Sequence, residues 1–127
     1  MPITFNAKNR VFKLDAGNST YAFMIEHSGY VAHLYFGGHI DSDALEYLYC
    51  PMARAFSPNP EGTSMEESRD VIPQEFGSNG IGDFHAPSAI VRQENGHSVT
   101  DFKYRSHRIS KGKPALAGLP ATFGSDN

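Results

Sequence analysis

Thr20-Tyr21-Ala22-Phe23-Met24-Ile25-Glu26-His27-Ser28-Gly29-Tyr30-Val31-Ala32-His33-Leu34-Tyr35-Phe36 reads as two strands joined by a tight turn. Side chains alternate across a strand, so Tyr30, Ala32, Leu34 and Phe36 are expected to share one face, and that face is expected to be core. His27-Ser28-Gly29 supplies the turn. Upstream, Val11-Phe12-Lys13-Leu14 and residues 20–25 flank Ala16-Gly17-Asn18, where glycine and asparagine tolerate positive φ, which predicts another hairpin. Downstream, Glu94-Asn95-Gly96 predicts a third hairpin between residues 89–93 and 98–106, with Phe102 and Tyr104 on one face and Lys103 and Arg105 on the other. The expected fold class is all-β, mainly antiparallel.

Between these runs the pattern changes. Asp43 followed by Glu46, and Ser64 followed by Glu67, resemble capping boxes that would start short helical turns. Pro51, Pro58, Pro60 and Pro73 keep the region from about 50 to 88 mainly in loops. A loop of that length in a compact domain is usually functional or reaches outside the domain.

The 127 residues suit a single domain, and 39% hydrophobic residues supply an ordinary core. With 11 Lys plus Arg against 14 Asp plus Glu, no charge footprint invites nucleic acid or an anionic membrane. Met1-Pro2-Ile3-Thr4-Phe5-Asn6 lacks the pattern of a secretory signal, and no segment approaches the roughly 20 apolar residues of a membrane span, so a cytoplasmic location is expected. Cys50, the single cysteine, permits no internal disulfide and is expected to be buried and inert.

Six histidines, His27, His33, His39, His85, His97 and His107, lack the spacing of a zinc site, although His33 and His39 lie close enough to meet. No metal is expected. Asp83 stands out among the acidic residues: Gly77, Gly80 and Gly82 give its backbone an unusual path, and Phe84 follows it, pairing a carboxylate with a flat apolar ring as sugar sites do. A solvated turn aspartate is the plainer reading. Gly80-Ile81-Gly82 lacks the setting of a phosphate loop, and Ser57 lacks a nucleophile elbow. Arg105, His107, Arg108 and Lys111 form a basic cluster that would blunt a strand edge.

Several motifs occur together and in order: Arg54-Ala55-Phe56-Ser57-Pro58-Asn59-Pro60, Pro73-Gln74-Glu75-Phe76, Gly82-Asp83-Phe84, Ser106-His107-Arg108-Ile109 and Gly118-Leu119-Pro120-Ala121-Thr122. With Asn6-Ala7-Lys8-Asn9-Arg10 and His33-Leu34-Tyr35-Phe36-Gly37, they make the chain resemble the start of a bacterial alpha-galactosidase of glycoside hydrolase family 36. The resemblance implies a β-sandwich, the first part of a β-supersandwich (galactose mutarotase-like) domain. It also implies that residues 1–127 form one β-rich domain or part of one. The (β/α)8 barrel with its two catalytic aspartates, and a C-terminal β-domain, would lie outside these residues. The parent enzyme would release terminal non-reducing α-D-galactose from melibiose- or raffinose-type galactosides, with retention and without a cofactor. This segment by itself would be inactive. Its role would be structural, in subunit assembly, and at the pocket rim.

Family members of this kind resemble one another in forming tetramers, with loops of the N-terminal domain shaping the pocket, so a homo-oligomer is expected. The resemblance assigns Arg54, Phe56, Asp83 and Phe84 to the rim as substrate-binding rather than catalytic residues. Two positions depart from the family pattern: Ala53 stands where an aspartate is usual, and His85 where an arginine is usual. Each replaced charge could have made charge-assisted hydrogen bonds to sugar hydroxyls, about 1.5–3 kcal/mol apiece. A rival reading is an independent, non-catalytic carbohydrate-binding β-sandwich using Tyr30, Tyr35, Phe36 and Phe84, though the chain has no Trp, the usual sugar platform. A second rival is a structural module whose parent has lost catalysis.

Overall fold

The computed structural model describes residues 2–53, 64–112 and 115–120. Among these residues four strands, β1 (Ile3–Asn6), β2 (Val11–Ala16), β3 (Ser19–Ile25) and β4 (Val31–Gly38), form one antiparallel sheet in sequence order. The first two expected hairpins are present. Gly17 turns β2 into β3 at φ 58°, and Gly29 turns β3 into β4 at φ 96°. β1 was not expected; Ile3 and Phe5 alternate with polar residues, but over too short a run to signal a strand.

One sheet face carries the core. Val11, Ala22, Leu34 and Leu45 pack together, and Tyr30, Ala32 and Ile72 continue the layer. Leu45 and Ile72 come from loops laid across the sheet, so the second layer is loop among the described residues. Pro73 to Glu75 close the outer edge of β4: His33 N–H donates to Pro73 O at 2.7 Å and Glu75 N–H to Val31 O at 2.9 Å. Pairing this edge removes a template for association.

Tyr30, Ala32 and Leu34 are buried as expected, but Phe36 is 72% exposed. The register passes from Phe23↔His33 to Ala22↔Tyr35, which leaves Leu34 as an extra residue. Such a bulge shifts the alternation by one. Phe36 therefore lies opposite Tyr21 on the other face, beside an aromatic row in which Phe12 contacts Phe5 and Phe23. His107 packs its ring edge against Phe5 and Phe12, and Tyr104 Oη lies 2.7 Å from its Nδ1, so this histidine caps an aromatic row rather than simply joining a basic cluster.

The third hairpin does not form as a strand pair. Its turn is closed, with Gln93 N–H donating to His97 O at 3.0 Å, and beyond it the Gln93 side chain donates to Val99 O at 3.1 Å without a backbone ladder. Residues 98–104 bond elsewhere: Thr100 N–H to Asn79 O, Phe102 N–H to Ser78 Oγ and Tyr104 N–H to Gly29 O. Asn79 outcompetes residues 89–93 because its side chain adds a bond to Ser98 O and its own N–H a bond to Thr100 Oγ1. Phe102 and Tyr104 remain half-buried on one side of the segment.

Among the described residues two single 3-10 turns occur, at Glu46–Leu48 and Met65–Glu67. The second has the expected capping box from Ser64 and Glu67. The first is entered through Leu45 with no side-chain cap, because burial of Leu45 rather than Asp43 sets its start. Replacing Ser64 by alanine is expected to cost about 1 kcal/mol, read as a lower urea midpoint. Cys50 is exposed, contrary to expectation; neighbouring Tyr49 is turned into the core instead.

Glu67 also bonds His27, which lies 3.1 Å from Glu26 on its other side and so ties the 3-10 turn to the β3–β4 turn. The His27 hydrogen bond, then the Ser64 N–H, hold the Glu67 carboxyl below its usual 4.5. Thr20 first, then Lys13, hold Asp15 below its usual 3.8. A lowered carboxyl pKa stabilises the fold above the unfolded-state value, and that contribution is lost as pH falls through the folded-state value. Stability is therefore expected to decline below about pH 4.5, and Glu67→Gln to flatten part of that limb in urea titrations from about pH 6 to about pH 3.

Candidate functional site

The loop that follows β4's edge cover is built around a buried carboxylate. Asp83 is 7% exposed. Its Oδ2 accepts from Gln74 Nε2 at 2.8 Å and from the Ser78 N–H at 3.1 Å; its Oδ1 accepts the His85 N–H at 3.0 Å and lies 2.9 Å from His85 Nδ1. Asp83 is thus no solvated turn residue. These partners draw Gln74, Ser78 and His85 onto one side chain, which fixes the turn from both ends.

The turn itself is strained. Gly80, Ile81 and Gly82 have φ of 84°, 53° and 82°. The glycines take this conformation freely, whereas a β-branched residue there costs about 1–3 kcal/mol. A Cβ on Gly80 would meet Val99 at 3.4 Å, an ordinary packing contact, so the positive φ rather than crowding is what favours glycine there. Asp83 N–H donates back to Gly80 O at 3.1 Å and closes the turn. Arg69 holds Ile81 from behind: its Nη1 donates to Ile81 O at 3.1 Å and its Nε to the Tyr30 hydroxyl at 2.7 Å. Tyr30 in turn donates to Asp101 at 2.7 Å, so this polar chain joins β4's entrance, the strained turn and the 98–104 segment. Burial first, then the Asp101 bond, raise the Tyr30 pKa and keep its hydroxyl protonated.

On this mount Phe84 is 72% exposed. Val31, Phe76, Phe102, Lys103 and Tyr104 line a cleft to which Phe84 does not contribute. Among the rival sugar contacts, Tyr30 is buried and Tyr35 is half-buried with its hydroxyl on Gly38 O, while Phe36 and Phe84 are open. Arg54 and Phe56 lie outside the described residues. Ala53 is exposed. His33 and His39 do not meet: His33 bonds Glu75, which also accepts from Tyr21, and His39 lies between Asp15 and Asp41. Burial, then the Glu75 bond, push the Tyr21 hydroxyl up to about 12. Among the described residues no three His, Cys, Asp or Glu side chains are grouped to hold a metal, and no helix is long and apolar enough to cross a membrane.

Arg69 was not singled out in the sequence. Nothing in Ser68-Arg69-Asp70 distinguishes a buried arginine from a solvated one; only the convergence of Tyr30, Ile81 and Asp101 on it does.

The fold and this loop define an all-β domain, an antiparallel sheet with a loop layer packed on one face. The Glycosyl hydrolase family 36 N-terminal domain matches residues 29–127, and the chain belongs to that family. Alpha-galactosidase 1 of Pediococcus pentosaceus is 43% identical over 98% of this chain, which spans 17% of that relative. The crystal structure of the family 36 alpha-galactosidase AgaB from Geobacillus stearothermophilus superposes with a TM-score of 0.87 at 41% identity, over 99% of this chain and 17% of that one. A variant of AgaA from the same organism, solved in complex with raffinose, gives 0.81 at 42% identity over 91% of this chain and 16% of that one. This chain therefore spans about a sixth of the length of these relatives.

Proposed function

We propose that this chain is the N-terminal segment of an alpha-galactosidase that releases terminal non-reducing α-D-galactose from raffinose- or melibiose-type galactosides with retention. The observation that carries the reading is that 98% of the chain aligns at 43% identity with an alpha-galactosidase of which it spans 17%. Residues 1–127 then form one β-rich domain or part of one, and the (β/α)8 barrel that supplies both catalytic carboxylates lies outside them. The segment contributes structure, subunit assembly and part of the pocket rim, and is inactive alone. Arg54, Phe56, Asp83 and Phe84 are its rim residues: the exposed Phe84 ring makes contact, and Asp83 acts by holding the turn. Aromatic rings suit this role because they offer apolar area with few rotamers to freeze. The enzyme works in the cytoplasm as a homo-oligomer, without a cofactor.

Calorimetric titration of the 127-residue chain with galactose, melibiose and raffinose, with its mass measured by light scattering, tests this reading. No saturable binding and no galactose release are expected from the chain, against hydrolysis by the complete enzyme. Saturable binding by the chain alone would instead establish the independent carbohydrate-binding module, with Phe36 and Phe84 as its open rings.

A further inference from the structure

We infer that Arg69 is a positioning residue for Phe84: its buried guanidinium holds Ile81 in the left-handed conformation and so sets the direction in which the turn presents the Phe84 ring. The inference deepens the rim reading and rests on it for the ligand, a terminal α-galactoside.

Three observations converge. Arg69 is 7% exposed, and its fork is divided among the Ile81 carbonyl at 3.1 Å, the Tyr30 hydroxyl at 2.7 Å and Asp101 at 3.6 Å. A rigid planar fork can hold three partners at fixed angles, which a lysine cannot. Ile81 stands at φ 53° between two glycines that adopt such angles without penalty, so its conformation is imposed from outside, and Arg69 reaches it through a hydrogen bond to its carbonyl. Phe84 is flanked by Asp83, closed onto Gly80 O, and by His85, whose N–H is closed onto Asp83. With both neighbours tied, the backbone beneath the ring can move only if the turn moves. A ring mounted in this way surrenders little freedom on meeting a ligand.

The test compares Phe84→Ala, Arg69→Met, Arg69→Met with Phe84→Ala, and Arg69→Met with Ile81→Gly. Raffinose kinetics are measured in the complete enzyme, and amide exchange at Asp83 in the 127-residue chain. Phe84→Ala is expected to raise KM about tenfold with kcat within about twofold, the signature of lost uniform binding. Arg69→Met should raise KM similarly and speed Asp83 exchange about tenfold or more, while the core amides of β2 and β3 keep their protection. The Arg69→Met, Phe84→Ala pair should be no worse than Phe84→Ala alone, since residues acting through one contact are not additive. Glycine at 81 adopts the turn unaided, so Ile81→Gly should recover at least half of the KM loss on a logarithmic scale.

If Phe84→Ala leaves KM unchanged, the rim reading fails, and unchanged Asp83 exchange in Arg69→Met would then overturn the positioning role as well. A KM rise in Phe84→Ala without one in Arg69→Met overturns the positioning role alone. A rise in Arg69→Met that Ile81→Gly does not recover, with protection lost equally across the core, makes Arg69 a general structural residue and overturns it too. Should Arg69→Met fail to fold, Arg69→Lys, which keeps the charge and loses the fork, carries the same comparisons.

Discussion

Asp83→Ala is expected to destabilise the chain by about 4 kcal/mol, a drop of roughly 15 °C in melting temperature for a domain of this size. The carboxylate is enclosed, and its removal takes the acceptor from the buried Ser78 N–H, from one of the two Gln74 Nε2 protons (the other stays on Arg69 O) and from the more accessible His85 N–H. Each buried donor left without an acceptor costs about 1–3 kcal/mol, less whatever water entering the space restores. Asp83→Asn keeps the shape and one acceptor oxygen but turns an amide N–H₂ toward donors, so about half the loss is expected there. Urea unfolding with both variants measures it; a loss under about 1 kcal/mol for Asp83→Ala would mean that the turn is held without the carboxylate. The functional consequence follows the same bonds, because the turn they close is the mount of Phe84.

The second large effect is expected at Leu45. This side chain is fully buried and packs with Val11, Ala22 and Leu34, pinning the connection after β4 onto the sheet. Leu45→Ala should cost about 3 kcal/mol, the usual loss for a cavity that neighbours cannot fill. The buried neighbours Val11, Ala22 and Leu34 are strand residues fixed by register, so collapse is left to the partly buried Ile40, Leu48 and Tyr49 around them. Leu45→Met should cost under about 1.5 kcal/mol, because it conserves volume. Thermal melts of both variants decide the matter: equal losses would show that chain identity at 45, not packing volume, matters.

The strands β2 to β4 and their turns were legible because period-two patterning and glycine turns are local signals. The limits came where an outcome depends on competition. Phe36 alternates correctly with Leu34 in the sequence, yet a single extra residue in the β3–β4 register turns it to the opposite face. Asn95-Gly96 forms its turn, but strand pairing beyond it is decided by which distant backbone groups bind residues 98–104 more completely, and Asn79 does. Asp83 and Phe84 could be singled out from the glycines around them and from family resemblance. That Asp83 is enclosed while Phe84 is open could not, because both follow the same turn and differ only in what lies above them.

An all-β, antiparallel chain with the motifs of the family 36 N-terminal domain is readable from the residues alone, since alternation, turn chemistry and motif order are all written locally. That Arg69 reaches Ile81, Tyr30 and Asp101 together emerges on folding. A buried guanidinium must collect partners from wherever the folded chain brings them, and residues 12 and 32 positions further along leave no pattern that marks them beforehand.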